Sequence, residues 1–418
     1  MIIASRVVAL VALWSAASCA TGDGTDPGSP LILIGIDGFR YDYLDSIPTP
    51  ALHRLARDGV RAPLVPVFPT KTFPNFYTLV TGLYPDQHGI VANDMYDPAI
   101  EHPFRLDDRD AVEDPRWWGG EPIWNTAQRQ GLLTATFFWP GSEAPIGGMR
   151  PTFWKKFDFR IPHDERVNQI LAWLDLPRAA RPTFVAMYFS LVDRVGHQFG
   201  PFSAQVDSAV TEVDRAIGLL LAGLDARGID ANVVVVSDHG FAARSPDRVI
   251  VLDDYVDLDA VEVIAWSPVA QIRPRPGQEE SVYHALVGKH PHLAVYRKRE
   301  IPERFHFRDH PRIQPIVAIA DEGWAIASRK LYERRPEAFT GATHGYDHEL
   351  QSMRAILLAR GPAFRAGVVA APFQNVHLYT LLAHLLGVTP APNAGSRDST
   401  AALLSMSGRS AAGAGLAR

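Results

Sequence analysis

A carboxylate and an imidazole stand side by side at Asp238 and His239, directly after the apolar run 232–237. Because short apolar runs are typical of buried strands, this pair is expected at the end of a strand. A second carboxylate, Asp37, follows the apolar run Leu31–Ile36 in the same way. Aspartate and histidine are common ligands of divalent cations such as zinc. Two strand ends that deliver such ligands to one edge of a sheet predict a metal-dependent hydrolase.

Asp193 and His197 form a further pair, four residues apart and directly after the strand-like run Thr183–Ser190. Gly196 lies between them and favours a tight turn that brings both side chains onto one ion. Zinc accepts both ligand types at about 2.0–2.2 Å per bond. A surface ion pair is the alternative for one isolated pair of this spacing. The recurrence of such groups after strand-like runs favours the metal.

The chain has 15 histidines, so no single histidine is diagnostic on its own. His344 is the next candidate ligand because the following Gly345 suits a tight turn at a site. His348 is a local competitor, and spacing alone does not separate the two.

The segment Thr70–Asn75 precedes the helix-like run Phe76–Thr81. Threonine is favoured at a helix N-cap and proline in the first turn, so Thr72 is expected at a helix N-terminus. Free backbone N–H groups and the helix dipole attract phosphate at that position. Thr72 is then either a simple capping residue or, beside a bound metal, a hydroxyl that becomes a nucleophile.

The composition is that of a globular protein with a large core: 418 residues, 47% hydrophobic and 21% charged. The formal net charge of -5 argues against a broadly basic surface, so no nucleic-acid polymer is expected as a partner. Small anionic substrates remain compatible with this charge, because a bound metal supplies positive charge locally.

Residues 1–20 are typical of a cleaved signal peptide. Arg6 precedes the apolar stretch Val7–Trp14, and small residues follow it. The stretch is too short to span a bilayer, so we expect an exported protein, periplasmic or secreted, without a transmembrane span. The only cysteine, Cys19, lies in this segment, so cleavage after Ala20 leaves no thiol for a disulfide. Lipid anchoring through Cys19 is the lesser alternative.

Strand-like runs alternate with helical segments, which predicts an α/β fold with a mostly parallel central sheet and helices on both faces. The candidate buried strands are Leu31–Ile36, Leu133–Phe138, Thr183–Phe189, Val233–Ser237, Ile316–Ala320 and Arg354–Ala359. The clearest helix begins near Ser203, carries an apolar face from Val206 to Leu224 and ends at Gly228. In such folds the ligand site lies beyond the carboxyl ends of the strands.

A single catalytic domain is predicted over residues 28–395. Residues from about 241 to 340 break the strand–helix rhythm and contain a short helical run, Ser281–Gly288, and a strand-like run, Leu293–Tyr296. We interpret them as a small inserted lobe. Residues 396–418 are rich in Ser, Ala and Gly and are predicted to form a disordered tail.

A series of motifs runs in one order along the chain. They are Thr70–Tyr77, Val80–Pro85, His88-Gly89, Asn93–Asp97, Phe138–Ser142, Asp193–His197, Ser237–Gly240, Asp321–Trp324, Gly345–Asp347 and Arg354–Phe364. This ordered set closely resembles the nucleotide pyrophosphatase/phosphodiesterase family, bacterial type, of the alkaline phosphatase superfamily. An ordered set is far more specific than any single motif. The resemblance implies an alkaline-phosphatase-like three-layer sandwich.

The resemblance also implies a two-zinc site. The implied ligands of one zinc are Asp193, His197 and His344. The implied ligands of the other are Asp37, Asp238, His239 and the nucleophile Thr72. Asn93 resembles the side chain that, together with the backbone N–H of Phe73, binds a nonbridging phosphoryl oxygen. Two such metal ions can stabilise the attacking and leaving oxygens of an in-line displacement.

The implied reaction is hydrolysis of nucleotide phosphodiester and pyrophosphate bonds to nucleoside 5′-monophosphates, through a phosphothreonine at Thr72. A neutral Asn93, instead of an arginine clamp, favours diesters because a diester has fewer charged oxygens than a monoester. Phe73 and Phe157 resemble two rings that sandwich a nucleobase, and such stacking tolerates any base. Trp154 lies nearby in sequence and is either a further substrate contact or a packing residue.

Three alternatives remain open from the sequence. The same rings could hold an acyl chain or a choline head, which would suit a phospholipid- or choline-type phosphodiesterase on the same site. The segment between Trp139 and Phe157 is retained, as in the nucleotide-cleaving branch. A phosphomonoesterase or phosphonate hydrolase is less favoured. A non-catalytic metal-binding or carrier protein would take up zinc without turnover.

Overall fold

The computed structural model describes residues 29–406. The predicted signal peptide, including Cys19, and the last part of the predicted tail, 407–418, lie outside the described residues. The strands are β1 Leu31–Ile36, β2 Val60–Val65, β3 Asp94–Asp97, β4 Ile100–Arg105, β5 Thr134–Phe137, β6 Phe153–Lys155, β7 Phe184–Phe189, β8 Asn232–Val236, β9 Ala242–Ala243, β10 Val249–Val251, β11 Val261–Ala265, β12 Val269–Pro274, β13 Leu293–Arg297, β14 Ile316–Ala320, β15 Ala325–Ala327, β16 Ala342–Thr343, β17 Ala355–Arg360, β18 Val368–Val369 and β19 Phe373–Gln374. The helices are α1 Tyr43–Ser46, α2 Pro50–Asp58, α3 Thr72–Thr81, α4 Pro85–His88, α5 Arg109–Glu113, α6 Ile123–Arg129, α7 His163–Leu174, α8 Leu191–Phe199, α9 Ala204–Ala226, α10 Glu279–Leu286, α11 Arg329–Arg334 and α12 Leu378–Leu385.

The central sheet has the strand order β18-β2-β17-β8-β1-β7-β5-β6, and β19 also pairs with β2. Strand β1 is parallel to both β7 and β8, and β5 is parallel to both β6 and β7. Strand β17 is antiparallel to both of its neighbours, β2 and β8. The sheet is therefore mostly parallel, as predicted, although the candidate strand Arg354–Ala359 runs in the opposite direction.

The apolar strands β1, β7 and β8 are buried along their whole length. Such burial is expected where helices cover both faces of a parallel sheet. Helices α2, α7, α8 and α9 pack together, and α3, α6 and α12 form a separate group. The helix predicted from Ser203 is α9, where the Ser203 side chain caps the N-terminus by accepting from Val206 N–H. The predicted α/β sandwich is confirmed.

A second, smaller sheet lies within residues 241–340, the range of the predicted lobe. Its strands are antiparallel in the order β11-β12-β14-β13, and they share an apolar core with α10. The candidate strand Ile316–Ala320 is β14 and belongs to this sheet. An apolar run predicts burial but not the sheet in which a strand is buried.

The prediction of a disordered tail is wrong for residues 398–406. Residues Asp398–Leu403 form a 3-10 helix, and Leu404 forms a β-bridge with Phe364. Leu403 and Leu404 are both buried. Two adjacent leucines provide enough apolar surface to dock a segment whose composition is otherwise small and polar.

The carboxyl ends of β1, β7 and β8 lie at the same edge of the sheet because these strands are parallel and adjacent. Asp37 follows β1, helix α8 with Asp193 follows β7, and Asp238 follows β8. The fold therefore brings three carboxylates from distant parts of the chain to one edge. Among residues 29–406, no helix combines the length and the hydropathy needed to cross a membrane.

Candidate active site

The first cluster consists of Asp37, Asp238 and His239, and all three side chains are buried. The Nε2 atom of His239 lies 2.9 Å from Asp238 Oδ2 and 3.5 Å from Asp37 Oδ1. Gly38 N–H donates to Asp238 Oδ1, which ties the end of β1 to the end of β8. Asp37 Oδ2 accepts a short hydrogen bond from the Tyr188 hydroxyl. The atoms Asp37 Oδ1 and Asp238 Oδ2 accept no hydrogen bond within the described chain.

The second cluster brings Asp193 and His197 together with His344. Asp193 and His197 lie one turn apart on α8, with 3.4 Å between His197 Nε2 and Asp193 Oδ1. The predicted tight turn at Gly196 is wrong, because the i, i+4 spacing of a helix already aligns the two side chains. Gly196 is needed for space instead: a Cβ there would lie 2.9 Å from the Phe241 ring.

His344 completes the second cluster and His348 does not. The Nε2 atom of His344 lies 3.6 Å from Asp193 Oδ1 and 3.2 Å from His197 Nε2. Gly345 has φ of 114°, a conformation that favours glycine, and a Cβ there would lie 2.6 Å from Lys71. His348 instead stands edge-on to Phe305 and lies outside both clusters.

Backbone carbonyls orient all three histidines. The Nδ1 atoms of His197, His239 and His344 lie 2.8–3.0 Å from the carbonyl oxygens of Ala342, Gly240 and Thr70. A carbonyl accepts only, so each Nδ1 carries the proton and each Nε2 presents a lone pair to its cluster. Two such lone pairs at 3.2 Å repel each other unless a cation or a proton lies between them.

The electrostatics of the clusters also favour cations. Burial, reinforced by the negative charges of Asp193 and Asp238, raises the pKa of Asp37 well above its ordinary value. Burial likewise raises the pKa of Asp193, and burial with the neighbouring imidazoles lowers the pKa of His344. Ionised carboxylates and neutral imidazoles are the forms that bind a divalent metal. The two donor sets, rich in Asp and His and with unpartnered buried oxygens, fit two such ions.

Thr72 is the first residue of α3, and the residue before it provides no side-chain cap. Its position confirms the predicted helix N-terminus, although the helix begins four residues before Phe76. The Oγ1 atom of Thr72 lies 3.4 Å from His239 Nε2, at the first cluster. A hydroxyl at this position adjoins both the metal-type ligands and the N-terminus of a helix, whose dipole favours negative charge.

Asn93 lies beside the start of α3. Its Oδ1 atom accepts a hydrogen bond of 3.0 Å from Phe73 N–H. The predicted arrangement, in which both groups donate to one phosphoryl oxygen, therefore differs from the structure, because Phe73 N–H already donates to Asn93. This contact directs the Asn93 amide through its oxygen and leaves the NH₂ as its available donor.

A cavity of about 410 Å³ opens onto both clusters, and Thr72, Phe73 and Asn93 line it. Phe157 also lines the cavity and is packed edge-on against Phe138. Trp154 is not among the residues that line the cavity, which favours the packing alternative over a substrate contact. Strand β6 pairs it with β5, and its ring packs under the Arg150 guanidinium.

Five polar side chains at the cavity were not predicted as site residues: Arg109, Glu143, Tyr188, Ser190 and Arg194. Glu143 is buried; its Oε1 accepts from Phe157 N–H at 3.1 Å and its Oε2 accepts from Arg109. The position of Glu143 directly after the Phe138–Ser142 motif was the only sequence signal. The partners of Tyr188 and Glu143 lie 151 and 34 residues away, so neither contact follows from local spacing.

Arg166 on α7 anchors the wall that carries Phe157. Its buried guanidinium donates to the carbonyl oxygens of Phe159, Ile161 and Tyr188, at 2.9–3.3 Å. All three acceptors are main-chain oxygens. The anchor therefore fixes the path of residues 157–161 beside the end of β7.

A known protein family matches most of this chain. The model of the family "Type I phosphodiesterase / nucleotide pyrophosphatase" matches residues 31–347. The chain belongs to this family. Both candidate ligand clusters fall inside the matched segment.

Relatives within this phosphodiesterase family are similar over most of the chain. A venom phosphodiesterase from Macrovipera lebetinus is 38% identical over 405 residues, which covers 93% of this chain and 46% of that protein. The human ectonucleotide pyrophosphatase/phosphodiesterase family member 5 is 40% identical over 370 residues, covering 88% of this chain and 76% of that protein. The chain thus spans about half the length of the venom relatives that it matches.

Solved structures of the family share the fold. Murine ectonucleotide pyrophosphatase/phosphodiesterase 5 matches with a TM-score of 0.85 and 40% identity, covering 90% of this chain and 100% of that chain. A second murine structure, of an inactive variant with a threonine replaced by alanine, is a complex with AMP. It matches with a TM-score of 0.85 and 39% identity.

Proposed function

We propose that this chain is a zinc-dependent phosphodiesterase that releases nucleoside 5′-monophosphates from nucleoside triphosphates, dinucleotides or related diesters. One observation carries the proposal: a hydroxyl at a helix N-terminus, that of Thr72, lies at one Asp/His cluster in a cavity that opens onto both clusters and is also lined by Phe73 and Phe157. The family membership of the chain and the AMP bound by the murine relative support a nucleotide as the substrate.

Two divalent cations are part of this proposal. Asp193, His197 and His344 would hold one of them. Asp37, Asp238 and His239, with Thr72, would hold the other. When bound, such ions make a hydroxyl more acidic and balance the negative charge that develops on phosphoryl oxygens. The mixed Asp/His donor set suits zinc better than magnesium or calcium, which prefer oxygen ligands.

Different residues of the chain have different roles in the proposed reaction. Thr72 Oγ1 forms a bond to phosphorus while the bond from phosphorus to the leaving oxygen breaks, which gives a phosphothreonine. Water then cleaves the phosphothreonine, releasing the nucleoside monophosphate and restoring the Thr72 hydroxyl. The Asn93 NH₂ donates to a nonbridging oxygen, held in place by its contact with Phe73 N–H. Phe73 and Phe157 bind the nucleobase between them.

Export is also proposed for this enzyme. Its support is the signal-like sequence of residues 1–20 and the similarity to proteins named venom and ectonucleotide enzymes. A periplasmic or secreted location follows from that segment, with lipid anchoring through Cys19 as the lesser alternative.

Three chromogenic substrates test the reaction class. We expect the protein to hydrolyse p-nitrophenyl thymidine 5′-monophosphate with a higher kcat/KM than p-nitrophenyl phosphate or p-nitrophenyl phosphocholine. Preference for the monoester would reject the diester assignment, and preference for phosphocholine would favour the lipid-type alternative. Zinc uptake without any turnover would favour a carrier.

Thr72→Ala tests the nucleophile in the same assay. We expect activity to fall by more than tenfold, about 1.4 kcal/mol in the barrier, while the metal content is largely kept. Thr211→Ala is the matched control, because Thr211 is an exposed threonine on α9 that does not line the cavity. Activity above a tenth of wild type in Thr72→Ala would remove Thr72 from its role.

A further inference from the structure

Two arginines line the cavity, and they differ in whether a carboxylate is paired with them. Arg109 is paired with Glu143 and lies near Glu113. Arg194 makes no ion pair with a carboxylate anywhere in residues 29–406, although it also lines the cavity. Its guanidinium stands 5.5 Å from the centre of the exposed Phe159 ring. An aromatic face at this distance steadies the cation without neutralising it.

The place of Arg194 in the fold relates it to one end of the proposed reaction. It directly follows Asp193 on α8, which belongs to the second cluster, whereas Thr72 Oγ1 lies at the first cluster. An in-line displacement places the leaving oxygen on the side of phosphorus opposite the attacking oxygen. The leaving group therefore departs toward the second cluster and the α8 wall.

We infer that Arg194 is a specificity-determining residue that binds a phosphoryl oxygen of the leaving group. The inference rests on the proposed function and narrows its substrate class to nucleotides whose leaving group carries phosphate, such as nucleoside triphosphates and pyrophosphate-bridged dinucleotides. A guanidinium matches the geometry of phosphate oxygens by donating two parallel hydrogen bonds. Phe159 holds this guanidinium at the mouth of the cavity, in the same wall segment as Phe157.

Two substrates with the same nucleoside isolate this contact. Thymidine triphosphate and p-nitrophenyl thymidine 5′-monophosphate give the same thymidylyl group on Thr72 and differ only in the leaving group. We expect Arg194→Gln to lower kcat/KM for the triphosphate about tenfold and to leave the p-nitrophenyl ester within about twofold. Arg194→Lys keeps the charge and should retain most of the triphosphate activity. The defect should also shrink at high ionic strength, since salt screens exposed charges.

The controls distinguish a failure of the Arg194 inference from a failure of the proposed function. Arg215→Gln removes an exposed arginine that pairs with Asp164 outside this cavity, and we expect it to change neither substrate. Equal losses on both substrates in Arg194→Gln, or no loss on either, would overturn the inference while the proposed function stands. A wild-type protein that cleaves neither diester would overturn the proposed function itself.

Discussion

At the scale of single residues, the usable nitrogen of each histidine is decided by a main-chain oxygen. Residue types and spacing after the strands predicted His197 and His239 as ligands, and the family resemblance implied His344. The acceptors that select Nε2 are distant in two cases, Ala342 for His197 and Thr70 for His344. Spacing therefore predicts some of the side chains that converge on the site, and only the folded chain shows which atom each one presents.

Phe157 offers a residue-scale test of base stacking. We expect Phe157→Ala to raise KM for nucleotide substrates several-fold to about a hundredfold, because stacking contributes about 1–3 kcal/mol per base. Trp154→Ala is the matched control: it removes a ring three residues away that does not line the cavity. Equal effects of the two substitutions on KM would contradict the stacking role of Phe157.

Sequence proximity was a poor guide to the aromatic residues. Trp154 and Phe157 lie three residues apart, yet only Phe157 lines the cavity. Trp154 belongs to a short strand and packs on Arg150, whereas Phe157 lies in the loop that Glu143 and Arg166 hold. Both holding contacts involve residues outside the loop, so the local pattern contains no signal for them.

At the scale of elements, the second sheet and its flanking loops brace the segment that carries Asn93. Arg312, which precedes β14, is 6% exposed and reaches across to this segment. It pairs with Asp97 at 2.7 Å and donates to the carbonyl oxygens of Gly89, Arg116 and Trp117. Asn93 lies between two of these contacts. Its position in the cavity thus depends on a residue more than two hundred positions away.

Arg312→Met tests this brace. It leaves Asp97 and three carbonyls without their donor, so we expect the free energy of unfolding to fall by about 3 kcal/mol. We also expect kcat/KM to fall, because the segment that holds Asn93 loosens. Urea unfolding and steady-state kinetics measure the two effects. Arg299→Met, an exposed residue nearby, is the control, and a loss below about 1 kcal/mol for Arg312→Met would contradict the brace.

Patterns of apolar residues in the sequence predicted several of the elements that position the site. Parallel apolar strands bring Asp37 and Asp238 to one edge, and the strand–helix rhythm was readable from the sequence. The helical position of Asp193 and His197 was not predicted, because Gly196 indicates a turn as readily as a helix packed closely against a ring. The antiparallel direction of β17 and the sheet to which β14 belongs depend on tertiary pairing, which local periodicity does not contain.

At the scale of the whole molecule, three carboxylates meet at one edge of the central sheet: Asp37 and Asp238 are buried and Asp193 is partly buried. Their proximity is costly without cations, since burial and neighbouring negative charge raise the pKa of Asp37 and burial raises that of Asp193. Bound metal would offset the repulsion among these carboxylates and so stabilise the folded state. One site at a free-metal concentration a thousandfold above its Kd contributes about 4 kcal/mol.

Chelation therefore has a predicted signature in thermal unfolding. We expect EDTA to abolish activity and lower Tm, and added zinc to restore both. The Asp193→Asn substitution should change Tm in opposite directions with and without metal. With zinc present it should lower Tm, because a ligand is lost. In EDTA it should raise Tm relative to wild type, because a buried like charge is removed. If EDTA left the Tm of the wild-type protein unchanged, that result would contradict the metal centre.

The Arg166 anchor has a consequence for how such enzymes diverge. Because its guanidinium holds this wall through hydrogen bonds to main-chain oxygens, the side chains at positions 157 and 159 can be exchanged without loss of those bonds. New substrate preferences are then reachable by one or two replacements in this short stretch, with the phosphoryl-transfer machinery left untouched. The wall that carries Phe157 and Phe159 is in this sense independent of the helix start that carries Thr72.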